Sequence, residues 1–356
     1  MKIAQIAPLY ESVPPKYYGG TERIVSYLVD ELVRQEHEVT LFASGDSRTS
    51  GILVPVCEQA LRLQHRALAD PLAHHIRMLE LVFARVSEFD VLHFHLDYMH
   101  FPFIRRTKST ALTTLHGRLD IPDLRPLFAE FWEMRLCSVS DSQQKHLRHP
   151  NWLGTIHHGL PKDLYQFCPK AEEYLMFLGR ICPEKGVDRA IEIAVRAGIP
   201  LKIAAKVDAV DRAYFEQRIK TLLDHPLVEF VGEIGDQQKN ELLGKARALL
   251  FPIDWPEPFG LAMIEAMACG TPVIAYGQGS VPEIVETGQN GFIVNSVEEA
   301  VVAVRNLDSV RRERCRQIFE QRFTSRQMAS AYASIYRRLS QEGRDEDDGR
   351  FSPRAA

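Results

Sequence analysis

The chain has 356 residues, 45% of them hydrophobic and 25% charged, an ordinary balance for a globular protein and enough length for two domains. Its 43 lysines and arginines against 47 aspartates and glutamates give a formal charge of −4, which argues against a nucleic-acid binder. No apolar run approaches the roughly 18 residues needed to cross a bilayer, although peripheral association with a membrane surface stays compatible with the sequence.

The N-terminus, "MKIAQIAPLY", reads as a strand and not as the apolar core of a signal peptide. Six scattered cysteines without a Cys-x-x-Cys pair suit reduced thiols, so a cytoplasmic location is expected. Short apolar runs follow at 2–8, 38–44, 91–95, 111–117, 137–141 and 154–159, and again at 174–180, 201–206, 228–234, 248–253, 272–276 and 291–294. Runs this apolar suit strands buried on both faces, and the helical patterns between them suit parallel crossovers. Two such series predict two doubly wound α/β domains, at about 1–163 and 164–323, joined through the proline-containing segment 159–173. Near the C-terminus Met328, Tyr332, Ile335, Tyr336 and Leu339 form an apolar stripe at helical spacing over about 324–340. The charged segment 341–356 is expected to be disordered.

In open α/β sheets ligands bind beyond the carboxyl ends of the strands. After the first strand, Gly19 and Gly20 precede a helix; they suit either close backbone approach to an anion or a plain flexible loop. His116 ends a strand in "TTLHGR", where a histidine can bond a sugar or move a proton but is more often structural. His93, His95 and Asp97 of "HFHLD" share a strand face, yet no fourth ligand is evident, so no metal is assigned. In "FLGRICPEKG", Arg180 and Lys185 flank a compact turn after a strand, which suits a diphosphate better than two solvated charges.

The stretch "EPFGLAMIEAMACGTPVIA" begins at Glu257. Pro258 is expected in the first helical turn, Gly260 leaves room for a ligand, and the amides of Phe259, Gly260 and Leu261 point at an anion. Glu265 lies about two turns further on. Carboxylates on either side of a phosphate suit a nucleotide-sugar, with the hexose at Glu257 and the ribose at Glu265. A surface cap and an ordinary helix charge are the plain alternative.

"EPFGLAMIE" resembles the Glu-x7-Glu motif of retaining glycosyltransferases of family 4, which have the GT-B fold. "GGTER", "TLHG", "HHGLP", "GRICPEKG" and the segment from "EAMACG" to "GFIV" extend the resemblance from residue 3 to about 340. The resemblance implies two Rossmann-like domains facing a cleft, with the last helix crossing back to the N-terminal domain. It implies that Arg180 and Lys185 bind the donor diphosphate, Glu257 and His116 serve the sugar at the reacting centre, and Glu265 holds the ribose. Phe259, Gly260 and Leu261 would add backbone donors. Gly19 and Gly20 would let the first loop close, and the base would lie near Gly232 and Glu233. Where family members often have Asn-Gly-Ile/Val-Asp, this chain has His158-Gly159-Leu160-Pro161, so that loop's usual contacts are not carried over. Without an Asp-x-Asp motif, the expected enzyme is metal-independent and needs no cofactor. A hexosyltransferase using a UDP-hexose such as UDP-glucose, with a small-molecule, glycan or lipid hydroxyl as acceptor, is the leading expectation. A GDP-mannose-dependent mannosyltransferase, a nucleotide-sugar 2-epimerase and a noncatalytic nucleotide-sugar binder are the alternatives.

Overall fold

The computed structural model describes residues 1–16, 19–64, 70–107 and 109–347, with side chains through 342. Its chain divides into two compact units. One comprises 1–139, 144–159 and the segment from 325 onward; the other comprises 140–143 and 160–324.

In the first unit seven strands form one parallel sheet. They are β1 (Lys2–Ile6), β2 (Glu38–Ala43), β3 (Ile52–Pro55), β4 (Val91–Phe94), β5 (Ala111–Thr114), β6 (Leu136–Ser138) and β7 (Trp152–Thr155), in the order β3-β2-β1-β4-β5-β6-β7. Ile3 on β1 pairs with Val39 on one side and Val91 on the other. The order reverses between β1 and β4, so the chain leaves these neighbouring strands toward opposite edges. Such a reversal opens a crevice at the carboxyl ends. Ala4, Ile6, Phe42, Leu92 and Phe94 pack with Met78, Leu79 and Val82 from the helix Pro71–Phe83 to form one face of the core.

The second unit repeats the plan. Strands β8 (Leu175–Arg180), β9 (Leu201–Lys206), β10 (Val228–Gly232), β11 (Ala248–Phe251), β12 (Val273–Tyr276) and β13 (Gly291–Val294) are ordered β10-β9-β8-β11-β12-β13. All pairs are parallel, and the reversal falls between β8 and β11. Leu175, Phe177, Ile203 and Leu250 pack against Ile191 and Ala194 of the helix Val187–Ala197.

The C-terminal helix, Ser325–Asp347, belongs to the first unit, where it packs on the helix Gly20–Arg34 and on β4. Met328, Tyr332, Tyr336 and Leu339 are buried, with Ile335 at the margin of the stripe. The chain therefore changes unit four times, after residues 139, 143, 159 and 324, and at the last two of these crossings Leu160 bridges Thr324 within the second unit.

Three expectations need correction. β3 was absent from the apolar runs; it is a short edge strand paired only with β2, with Ile52 and Pro55 exposed, so burial imposes no strong pattern. The strand expected at 154–159 is Trp152–Thr155, which leaves His157 and His158 beyond its end. The last helix continues through Asp347, so 341–347 is helical where disorder was expected. Gln341, Glu342, Arg344 and Glu346 favour a helix there, and Glu342 pairs with Arg338 one turn back and with Arg135. Residues 348–356 lie outside the described residues.

Candidate functional site

In the second unit the reversal point gathers the loops that follow β8, β11 and β12. β8 ends at Arg180, whose guanidinium makes long ion pairs of 3.5 Å with Asp208 and Asp211. The single turn Pro183–Lys185 follows and delivers the Lys185 ammonium onto the Glu257 carboxylate as an ion pair. Both side chains are largely buried, at 16% and 11% exposure. Lys185 also lies 5.0 Å from the Trp255 ring centroid and 5.7 Å from that of Phe251, within cation–π range. Ions this withdrawn from water need good partners, because breaking the pair leaves a buried charge.

The loop after β11 is stitched to the turn after β8. The Asp254 amide donates to the Glu184 carbonyl at 2.8 Å, and Arg189 donates to the Pro252 carbonyl at 3.1 Å and to the Asp254 carboxylate at 3.0 Å. The loop after β12 holds Glu257 from its other side. The Ser280 amide donates to the Glu257 carbonyl at 3.0 Å and the Ser280 hydroxyl to the Phe259 carbonyl at 2.7 Å. Gly279 has φ +56°, and a Cβ there would fall 2.4 Å from the Glu257 backbone, so only glycine lets these loops meet.

The helix of the Glu-x7-Glu stretch runs Leu261–Ala268, with Gly260 as its N-cap at φ +80°. Pro258 therefore precedes the helix, contrary to the expectation that it would sit in the first turn. Gly260 also differs from its expected role: a Cβ would meet Met263 Cε at 2.7 Å and the Phe251 ring at 3.0 Å, so the glycine serves the left-handed turn and close packing rather than leaving space. Phe259 is buried, and Leu261 opens the helix whose positive end suits an anion.

Glu265 is 3% exposed and already engaged. Its Oε1 accepts from Lys239 Nζ at 2.8 Å and from the Tyr165 hydroxyl at 3.1 Å. Lys239 comes from the helix Asp236–Lys245 after β10, and Tyr165 from the segment that enters the unit. Gly232 ends β10, and Glu233 is exposed in the turn that follows. Arg180, Lys185, Glu257, Phe259, Gly260 and Leu261 are thus carried at and beyond the ends of two adjacent strands, while Gly232 ends the edge strand and Glu233 follows it. Sequence reasoning missed Tyr165, Arg189, Lys239, Gly279 and Ser280. None of these has a motif of its own, and only spacing to the glutamates in three dimensions marks them.

The first unit's reversal point carries neutral groups instead. His95 follows β4 and His116 follows β5. His95 Nδ1 and His116 Nε2 share a hydrogen bond of 2.8 Å, and the His158 ring stacks on His116 with centroids 5.1 Å apart. His93 joins the Tyr336 hydroxyl at 2.6 Å and the Thr114 hydroxyl at 2.7 Å. Burial holds the His116 imidazole down at about 3, and holds His93, His95 and His158 well below the usual histidine range, with the neighbouring histidines adding to the effect. His93 and His95 do share a face, but it is filled by these bonds. Among the described residues no group of three or more His, Cys, Asp or Glu side chains could hold a metal ion.

Gly19 is buried with an extended backbone, and a Cβ would press on Pro15 at 2.8 Å. Gly20 starts the following helix. Within that helix Glu22 is buried, and burial raises its carboxyl to about 7, with the charge of Glu11 contributing. Sequence reasoning passed over Glu22 because a first-turn glutamate is commonplace.

The family model described as "Glycosyl transferases group 1" matches residues 166–322, and that described as "Glycosyltransferase Family 4" matches 18–164. An uncharacterized glycosyltransferase from Methanocaldococcus jannaschii is 24% identical over 343 residues, covering 83% of this chain and 85% of that protein. Glycogen synthase from Mycobacterium tuberculosis is 32% identical over 175 residues, covering 46% of this chain and 42% of the synthase. An uncharacterized 41.2 kDa protein of the Klebsiella pneumoniae cps region is 27% identical over 46% of each chain, so the chain spans about half the length of several curated relatives that it matches. Among solved structures, AviGT4, a glycosyltransferase involved in avilamycin A biosynthesis, superposes with a TM-score of 0.73 at 22% identity, covering 96% of this chain and 98% of that one. Sucrose-phosphate synthase from Thermosynechococcus elongatus gives 0.76 at 18% identity over 95% and 98%. HepE from Anabaena, in complex with UDP and glucose, gives 0.72 at 20% identity over 94% and 99%. At these identities the structures speak for the fold.

Proposed function

Because the chain belongs to the GT4-type glycosyltransferases of the GT-B fold, we propose that it is a retaining, metal-independent hexosyltransferase. It moves a hexose from a nucleoside-diphosphate sugar, with UDP-glucose the first donor to try, to a hydroxyl of a small molecule, glycan or lipid. The observation that carries this reading is the pairing of cations and carboxylate at the β8/β11 reversal: Arg180 and Lys185 on one loop, Glu257 and the helix terminus at Leu261 on the next.

In this reading the donor diphosphate takes Lys185 and Arg180 as its counter-ions in place of Glu257, Asp208 and Asp211. Phe259, Gly260 and Leu261 add backbone donors at the helix end. Departure of the nucleoside diphosphate leaves positive charge at the anomeric carbon, and fixed cations on the leaving group favour that state. Glu257, released from Lys185, bonds the hexose beside the reacting carbon. Glu265 takes the ribose hydroxyls, with Lys239 and Tyr165 holding its carboxylate. His116 bonds the transferred sugar as a neutral imidazole, Gly232 and Glu233 border the base, and Gly19 and Gly20 allow the first loop to approach the phosphate or acceptor. The six unpaired cysteines agree with a reducing, cytoplasmic setting.

The test follows free nucleoside diphosphate from UDP-, GDP- and ADP-sugars with and without acceptors. A transferase releases it in step with an acceptor, a 2-epimerase converts the donor without one, and a pure binder does neither. A thermal-shift screen first selects the nucleotide, since a ligand at 100 times its Kd stabilises by about 2.7 kcal/mol. Absence of both binding and turnover for every donor sinks the proposal.

A further inference from the structure

The C-terminal helix and the first strand meet inside the first unit through polar side chains with no role in donor binding. Gln5 on β1 and Tyr336 on the C-terminal helix are fully buried. Gln5 Nε2 donates to the Tyr336 hydroxyl at 3.0 Å, and Gln5 Oε1 lies 2.8 Å from His95 Nε2. His95 Nδ1 lies 2.8 Å from His116 Nε2. The path ends at His116 Nδ1, which is covered from solvent and has no hydrogen-bond partner among the described residues.

A neutral imidazole carries one N–H, so assigning either nitrogen assigns the other. The amide gives the path its direction because its two ends differ chemically. With Nε2 on Tyr336, Gln5 presents an acceptor to His95, which must then donate from Nε2 and accept at Nδ1. His116 in turn donates from Nε2 and keeps a bare lone pair on Nδ1. Turning the amide over would reverse the histidine bonds and leave a buried, unpaired N–H at His116 Nδ1. Orphaned donors are rarer than orphaned acceptors in folded proteins. The Tyr336 oxygen accepts from the amide, and with His93 protonated on Nε2 its own proton has an acceptor in His93 Nδ1, 2.6 Å away.

We propose that Tyr336 and Gln5, acting through His95, fix the tautomer of His116 so that its unprotonated Nδ1 receives a hydrogen bond from a hydroxyl of the bound sugar. Tyr336, Gln5 and His95 are positioning residues. A hydroxyl can donate to that lone pair, whereas a phosphate or carboxylate oxygen cannot, so the path selects a neutral hydroxyl at this point and repels an anion. The hydroxyl's identity rests on the transferase reading above; the tautomer does not.

The experiment is long-range proton–nitrogen NMR on the full chain labelled with 15N-histidine, with His116→Gln used to assign the signal. The expected result is a His116 protonated on Nε2 and bare on Nδ1. Gln5→Met and Tyr336→Phe should each shift the His116 nitrogens toward a mixture of tautomers. Gln5→Glu, whose carboxylate still accepts from His95 Nε2 and toward which the Tyr336 hydroxyl turns its proton from His93, should preserve the parent pattern at His116. A His116 proton on Nδ1 in the parent overturns the proposal, as does an unchanged tautomer in folded Gln5→Met. The parent spectrum needs no variant, so a variant that fails to fold does not shield the idea. If the chain transfers no sugar, these spectra still report the relay, and the two readings fail separately.

Discussion

The two units share a topology but furnish their reversal points differently. The second unit uses ions: Lys185 on Glu257, Arg180 near Asp208 and Asp211, and Lys239 on Glu265. The first uses uncharged groups, with four histidines whose basicity is suppressed by burial and, for His93, His95 and His158, also by neighbouring histidines. One sheet plan thus supports either a charged or a neutral crevice, because the strand ends only deliver loops, and the loop residues decide the chemistry. Ions suit a diphosphate, and neutral donors and acceptors suit hydroxyls.

The largest test removes the support of the neutral side. Ending the chain after Arg322 deletes the helix that carries Tyr332 and Tyr336, both buried to 1% exposure or less. Burying each such aromatic contributes several kcal/mol, so the first unit should lose cooperative melting, with a smaller loss in the second unit, which gives up only Phe323 and Thr324. Ending after Gly343 should leave the melting temperature near that of the full chain. Equal melting of the shorter form and the full chain would dismiss the helix as a support.

On the charged side, Glu257→Gln removes a charge beside the developing cation. Its kcat should fall by roughly 10²–10³-fold, with nucleoside diphosphate affinity nearly unchanged. Glu265→Gln should instead raise the donor KM and weaken the nucleotide itself, as expected for lost uniform binding. Steady-state kinetics and calorimetry on both variants separate the roles, and the opposite pattern would exchange them.

Lys185→Ala and Arg180→Ala should each cost about 1.5–3 kcal/mol in nucleoside diphosphate binding. Calorimetry finding parental affinity in both would remove the phosphate from this turn and weaken the contrast between the units.

Acid should distinguish the units more gently. The buried histidines have folded values below the unfolded value of about 6.5, His116 near 3. Between those values the unfolded chain binds more protons, so stability falls as pH drops from about 6.5 toward 3. Each fully shifted histidine contributes a slope of up to about 1.4 kcal/mol per pH unit. Chemical denaturation between about pH 7 and 5 should show the slope in the parent and a shallower one in His158→Gln. Equal slopes would mean that His158 has no such linkage.

The smallest expected effect is none. Activity should survive EDTA, since cations and a helix terminus are assigned the work a metal would do on the diphosphate. Loss in EDTA with recovery on adding a divalent ion would overturn that assignment.

Local sequence determined a great deal here. The six strands of the second unit, Arg180 and Lys185 at a strand end, the helix containing Glu265 and the apolar stripe of the last helix were all legible. Each rests on short-range physics: burial on both faces of a strand, a 3.6-residue period, or charge beside a turn. Tertiary structure decided the rest. Edge strand β3 is half exposed and leaves little pattern, and the helix begins at Leu261 because Gly260 adopts a left-handed turn packed against Phe251. The partner of Glu257 is the Lys185 of the neighbouring loop only because β8 and β11 pair across the reversal. Glu265 finds Tyr165 from 100 residues away, and Gln5 finds Tyr336 from 331 away. Polar contacts at such separations follow no period along the chain, so they exist only once parallel pairing and apolar burial have brought the strand ends together.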